Sequence, residues 1–127
     1  MKRDMDLVRL LLLRLESLSD EPHSILVLNP AKFDVEGYTA DQVDYHLYLL
    51  VDSRLVDQGG SGVMSGFAFK QLTWAGHDFL DAVRDDEIWR RTREGVRAAG
   101  GFSIELLGDL AKGLIRKKIA EHTGVQL

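Results

Sequence analysis

The chain of 127 residues contains no cysteine. That absence excludes a disulfide framework and any thiolate-based zinc site, and it fits a protein kept in a reducing compartment. Long apolar runs are missing as well. The stretch closest to a signal-peptide core, residues 10–13, is flanked by Arg9 and Arg14 and is followed by no small-residue cleavage site. A cytoplasmic location with no membrane span is the resulting expectation. Basic charge is also scarce: the formal net charge is −4, with 6 Lys/Arg against 11 Asp/Glu in residues 1–60 and 10 against 9 in residues 61–127. Any nucleic-acid surface is therefore expected in the second half.

What is present is a globular composition. Hydrophobic residues make up 45% and charged residues 28% of the chain, which separates it from disordered sequences, and its length suffices for one core. Leu7, Leu11, Leu15 and Leu18, widened by Leu10 and Leu12, recur at helical spacing and predict a helix over about residues 5–18. Asp4 or Asp6 suits its start, and Ser19, Asp20 and Pro22 its stop. Residues 25–28 read as a short strand ended by Asn29 and Pro30, with a second extended piece at 33–35. Thr39 suits the N-cap of a second helix. Its stripe of Val43, Leu47, Leu50 and Val51 leaves Asp41, Gln42, Asp44, Tyr45, Tyr48 and Asp52 on the open side.

A strand from Leu55, the glycine-rich connection QGGSGVMSG and the strand FAFKQLT predict a long-looped hairpin. Thr73 suits the cap of a third helix with Phe79, Leu80 and Val83 in its stripe. Asp85 or Asp86 suits a fourth, carrying Ile88, Trp89, Thr92 and Val96 and ending at Gly100 and Gly101. Trp74 and Trp89 are expected to close the core around Gly76, where a missing side chain lets another backbone approach. Ser103 then caps a last amphipathic helix, weakened by Gly108 and Gly113 and so dependent on a partner surface.

Helix, strand, helix, two-stranded hairpin, helix is the order of a winged-helix domain. YHLYLLVDSRLV, the hairpin and LTWAGHDFL resemble the recognition helix, wing and following helix of many bacterial regulators. More specifically, MKRDMDLVR, GYTADQVDYHLYLL, LTWAGHDFLDAVRDDEIW and the final LAKGLIRKKI resemble a family of uncharacterised bacterial and prophage proteins, from Met1 to about Ile119. That resemblance implies no activity. The expected class is α+β: a winged-helix-like core over residues 1–84 and a C-terminal helical extension over 85–127, forming one structural domain. Residues 24–38 leave little room for the short second helix that braces a reading helix on DNA.

The segment LTWAGHDFLDAVRDDEIW gathers a histidine and five acids, yet each has a plain structural role. Asp85 and Asp86 stand where a helix start favours acids, and Asp78 and Asp81 fall off the apolar stripe. His77 and Asp81, four residues apart, are expected to form an exposed helical pair. No metal site, cofactor or catalytic residue is assigned, and GGSG at 59–62 lacks the GK[ST] ending and following helix of a phosphate-binding loop. His46, beside the Leu47 stripe, is expected to be partly buried.

Two surfaces remain. Gln42, Tyr45, Tyr48 and Asp52 are the expected protein-contact residues. Lys70, Arg90, Arg91, Arg93 and Arg97 are the expected phosphate contacts if DNA is bound, although acids on the reading helix oppose that. Lys112, Arg116, Lys117 and Lys118 near the chain end complement a helix dipole. Ile104, Leu107, Leu110 and Leu114 form an apolar face suited to the body of the protein, a homodimer seam or a partner's groove. The expectation is a non-enzymatic interaction or regulatory module binding a second copy or a host protein, the alternative being a dimeric DNA-binding regulator.

Overall fold

Asp4 is extended, and its carboxylate accepts from the amides of Asp6 at 2.9 Å and Leu7 at 3.2 Å, so the first helix, α1, starts at once and runs over Met5–Leu18. The computed structural model describes residues 1–19, 21, 23–60, 66–100 and 103–125. Asp20, Pro22, Ser61, Gly62 and Gly101, invoked above as stop signals and hairpin tip, lie outside the described residues. α1 buries Met5, Leu7, Val8, Leu11, Leu12 and Leu15, whereas Leu10 is exposed rather than part of the stripe. At 3.6 residues per turn Leu10 falls roughly 60° outside the arc those residues share.

β1 (Leu26–Leu28) pairs antiparallel with β3 (Phe67–Phe69), setting Leu26 opposite Phe69 and Leu28 opposite Phe67. β2 (Val56–Asp57) pairs antiparallel with β4 (Gln71–Leu72), and the Lys70 amide between β3 and β4 donates to the Asp57 carbonyl at 3.0 Å. The aromatic strand is thus shared, its first half by β1 and its second by β2. The expected extended piece at 33–35 is not a strand. A single 3-10 turn, Pro30–Lys32, precedes it, started by the Asn29 side chain accepting from the Ala31 amide. Buried Phe33 then lies under the Arg14 guanidinium, 4.7 Å from its ring centre, while Arg14 donates to the Asp34 carbonyl. Side-chain attachment to α1 replaces strand pairing here.

α2 (Ala40–Asp52) starts in a complete capping box: Thr39 Oγ1 accepts from the Gln42 amide and Gln42 Oε1 accepts from the Thr39 amide. It ends in a left-handed turn at Arg54, φ 61°, with the Arg54 amide donating to Val51 and the Leu55 amide to Leu50. Glycine normally occupies that position. Thr73 clamps the turn: its amide donates to the Leu55 carbonyl and its hydroxyl to the Arg54 carbonyl at 2.7 Å. The same hydroxyl accepts from the Gly76 amide, capping α3 (Trp74–Val83).

The chain divides into two compact units, Met1–His77 and Asp78–Leu127. In the second, α4 (Asp86–Ala99) is capped by Asp85 and stopped by Gly100 at φ 85°, and α5 (Ile104–Thr123) is capped by Ser103 and stopped by Gly124 at φ 73°. Leu107 and Ala111 of α5 are fully buried, and Leu110 lies against the bare Gly95 of α4. Element order and strand pairing make an α+β protein, consistent with a winged-helix-like arrangement carrying C-terminal helices. Among the described residues no helix is long and apolar enough to cross a membrane.

Trp89 is buried as expected, but Trp74 is 90% exposed and closes no core. Helical geometry gives the reason. Trp74 stands about 200° around α3 from Gly76, and Gly76 is the side pressed on the Leu55 carbonyl.

Candidate interaction surface

Along α2 the helical period sorts the residues into two faces. Val43, His46, Leu47 and Leu50 are buried. Asp41, Asp44, Tyr45, Tyr48 and Asp52 all project within an arc of about 100° on the other side. Tyr45 is 39% and Tyr48 50% exposed. Tyr48 meets the buried Phe67 edge to face at 6.0 Å, which anchors one side of its ring and leaves the other outward. The helix carries three aspartates and neither lysine nor arginine. Asp52 sits in the last turn, where the negative end of the helix dipole disfavours a carboxylate. Stability alone does not favour that placement.

Of the four expected contact residues, Tyr45, Tyr48 and Asp52 share this face, whereas Gln42 is committed to the capping box. Sequence reasoning missed Trp74. The Thr73 clamp holds it at the Arg54 turn, the same end of α2 as Asp52. Its exposure was legible from the α3 cap, because a residue directly after an N-cap and opposite a packing glycine points outward.

Beneath the surface, His46 is 1% exposed and bonded at both nitrogens: Nδ1 donates to the Gln42 carbonyl at 2.7 Å and Nε2 accepts from the Asp4 amide at 2.8 Å. Tyr38 Oη donates to Asp4 Oδ2 at 3.1 Å. This network joins α2 to the first turn of α1. Two helix starts and a buried imidazole fix each other, so the histidine is a structural bond rather than an exposed base.

The acidic segment at residues 72–89 is dispersed by its own partners. His77 Nδ1 lies 3.7 Å from Glu16 Oε2 instead of pairing with Asp81, which takes Arg84 at 2.9 Å. Asp78 pairs with Lys112 at 3.1 Å. Among the described residues no group of three acids or histidines is placed to hold a metal ion.

The expected phosphate contacts fall on both units: Lys70 follows β3 and the four arginines lie on α4. Arg90 is occupied by Glu87 at 2.6 Å and Glu94 at 2.9 Å. Its hydrogen bond holds the Glu87 carboxyl below the usual carboxylate range, and Glu87 in turn raises the guanidinium. Of the apolar face expected on α5, Leu107 is buried, Leu110 abuts Gly95, and Ile104 and Leu114 are half-exposed. Two clefts of about 300 and 420 Å³ lie in the first unit. In the smaller, Ser24 donates to Glu21 at 3.2 Å; the larger is lined by Leu10, Arg14, Asp34, Val35 and Glu36.

These features describe a small α+β protein whose second helix presents an acidic face with two outward tyrosines. The chain belongs to the family described as Hypothetical protein (DUF2513), which it matches over residues 2–103. It is also 33% identical over 124 residues to an uncharacterized protein of Haemophilus influenzae, a similarity covering 94% of this chain and 100% of that one. No solved structure matches the chain. The family match stops just before α5, whereas the Haemophilus similarity leaves too few residues unmatched to omit that helix.

Proposed function

We propose that this protein is a non-enzymatic contact module that docks a basic protein surface on the Tyr45 and Tyr48 face of α2. The observation carrying this reading is the composition of that face: two outward tyrosines among three aspartates on a helix without a cation. A carboxylate held 4 Å from a phosphate costs on the order of 1 kcal/mol in water and about 4 kcal/mol near a protein surface. Three of them outweigh what tyrosine contacts to bases would return. Against a protein partner the same residues are favourable. Tyrosine is enriched among the side chains that dominate binding energy, and rim carboxylates steer a basic partner.

Duplex DNA tests the competing reading directly. In fluorescence anisotropy with a labelled mixed-sequence duplex, we expect no saturable binding at physiological salt. Micromolar or tighter binding there, lost on charge reversal of Arg91 and Arg97, would overturn the proposal and support a DNA-binding regulator.

A further inference from the structure

The last buried residue of α5 is Ala111; of residues 112–123, Lys112, Leu114, Ile115 and Ala120 are half-buried and the rest exposed, so about three helical turns are only partly packed. An isolated helix of that length is marginal in water, and Gly113 weakens this one further. A half-packed helical arm of this kind gains further stability against a partner surface.

Its side chains specify which surface. Ile115 and Ile119, one turn apart, form an apolar pair; Ile119 is 37% exposed. Arg116 flanks the pair on one side and Lys118 on the other at the helical period. Residues 112–123 carry four cations and one anion, and one of the cations, Lys112, is paired with Asp78. The arm is thus an isoleucine pair between cations, while the α2 face is a tyrosine pair among anions. The two are complementary in charge and apolar content, and both belong to one sequence.

We propose that the occupant of the α2 face is the α5 arm of a second copy of this chain, with Ile115 and Ile119 against Tyr45 and Tyr48, and Arg116 and Lys118 against Asp44 and Asp52. The inference rests on the protein-contact reading of α2 and supplies its partner. Reciprocal exchange uses the same contact twice, which is how a two-fold homodimer is built.

The test is a charge swap read by light scattering after size exclusion. Wild-type protein at tens of micromolar is expected at twice the monomer mass. Arg116→Glu with Lys118→Glu is expected to yield a monomer with unchanged far-UV circular dichroism, and so is Asp44→Lys with Asp52→Lys; Asp41 is left in place because it supports the start of α2. Each pair should weaken self-association at least tenfold. Mixing the two variants restores both complementary contacts and should return the dimer mass. A monomeric wild type overturns the proposal, as does a dimer that neither swap disrupts. A mixture that fails to reassociate after both single swaps dissociate also overturns it. A monomeric wild type whose α2 face still crosslinks to another protein would remove this inference and leave the contact-module reading standing.

Discussion

Gly76→Ala is expected to destabilise the protein by about 3 kcal/mol or more, although alanine is the better helix former by roughly 1 kcal/mol. A Cβ built on Gly76 would lie 2.1 Å from the Leu55 carbonyl oxygen and 3.1 Å from its carbon. Both are backbone atoms, so no side-chain rotation relieves the clash. The Leu55 carbonyl also accepts from the Thr73 amide, and Leu55 follows the left-handed turn at Arg54 that ends α2. Moving it would disturb the α2 terminus, the start of β2 and the α3 cap together. Gly113→Ala supplies the internal control. Nothing lies within 4 Å of a Cβ there, so this substitution should stabilise the helix by up to about 1 kcal/mol. Urea midpoints of the two variants should therefore move in opposite directions. A shift of the same sign and size for both would show that Leu55 does not press on Gly76.

His46→Ala is the second large effect, at about 3 kcal/mol. The substitution empties a fully buried site and leaves the Asp4 amide without its acceptor, a cavity cost added to an unsatisfied donor. Tyr38→Phe removes only the hydroxyl bond to the Asp4 carboxylate and should cost about 1 kcal/mol. If chemical denaturation finds His46→Ala no more harmful than Tyr38→Phe, the imidazole does not join the two helices. Tyr38→Phe does not touch the outward face of α2, so partner binding by its folded fraction should be unchanged, whereas His46→Ala also removes the edge-to-face contact that the imidazole makes with the Tyr45 ring at 5.7 Å.

Most of the element order was legible because this chain punctuates itself with capping residues. Asp4, Thr39, Thr73, Asp85 and Ser103 each accept a backbone amide of the helix they begin. The period of Leu7, Leu11 and Leu15 and that of Val43, Leu47 and Leu50 settled which sides of α1 and α2 face inward. The close backbone approach at Gly76 was legible from the missing side chain, but its partner Leu55, 21 positions earlier, was not.

What sequence reasoning missed depended on contacts between distant residues. Residues 33–35 have strand-like composition, yet Arg14 of α1 covers Phe33 and donates to the Asp34 carbonyl, and none of the three is in a strand. His77 was matched to Asp81 by local spacing, but Glu16 approaches its ring from α1. Trp74 was expected to close the core around Gly76, although its angular position opposite that glycine already sent it outward. The shared side of Tyr45, Tyr48 and Asp52 was legible, since it follows from the period of one capped helix, whereas the capping role of Gln42 set it apart from them. The half-packed arm of α5 was not legible, because where its full burial ends is set by tertiary packing rather than by its own sequence.

The most direct test of the α2 surface is a photo-crosslinking amino acid placed at Tyr48, with the same group at exposed Asp81 as the reference position. Irradiation of cells expressing the Tyr48 variant is expected to yield protein adducts, a second copy of this chain among them, that are absent from the Asp81 variant. Adducts to nucleic acid alone, or a Tyr48 pattern indistinguishable from that of Asp81, would contradict the assignment of α2 as a protein-docking face.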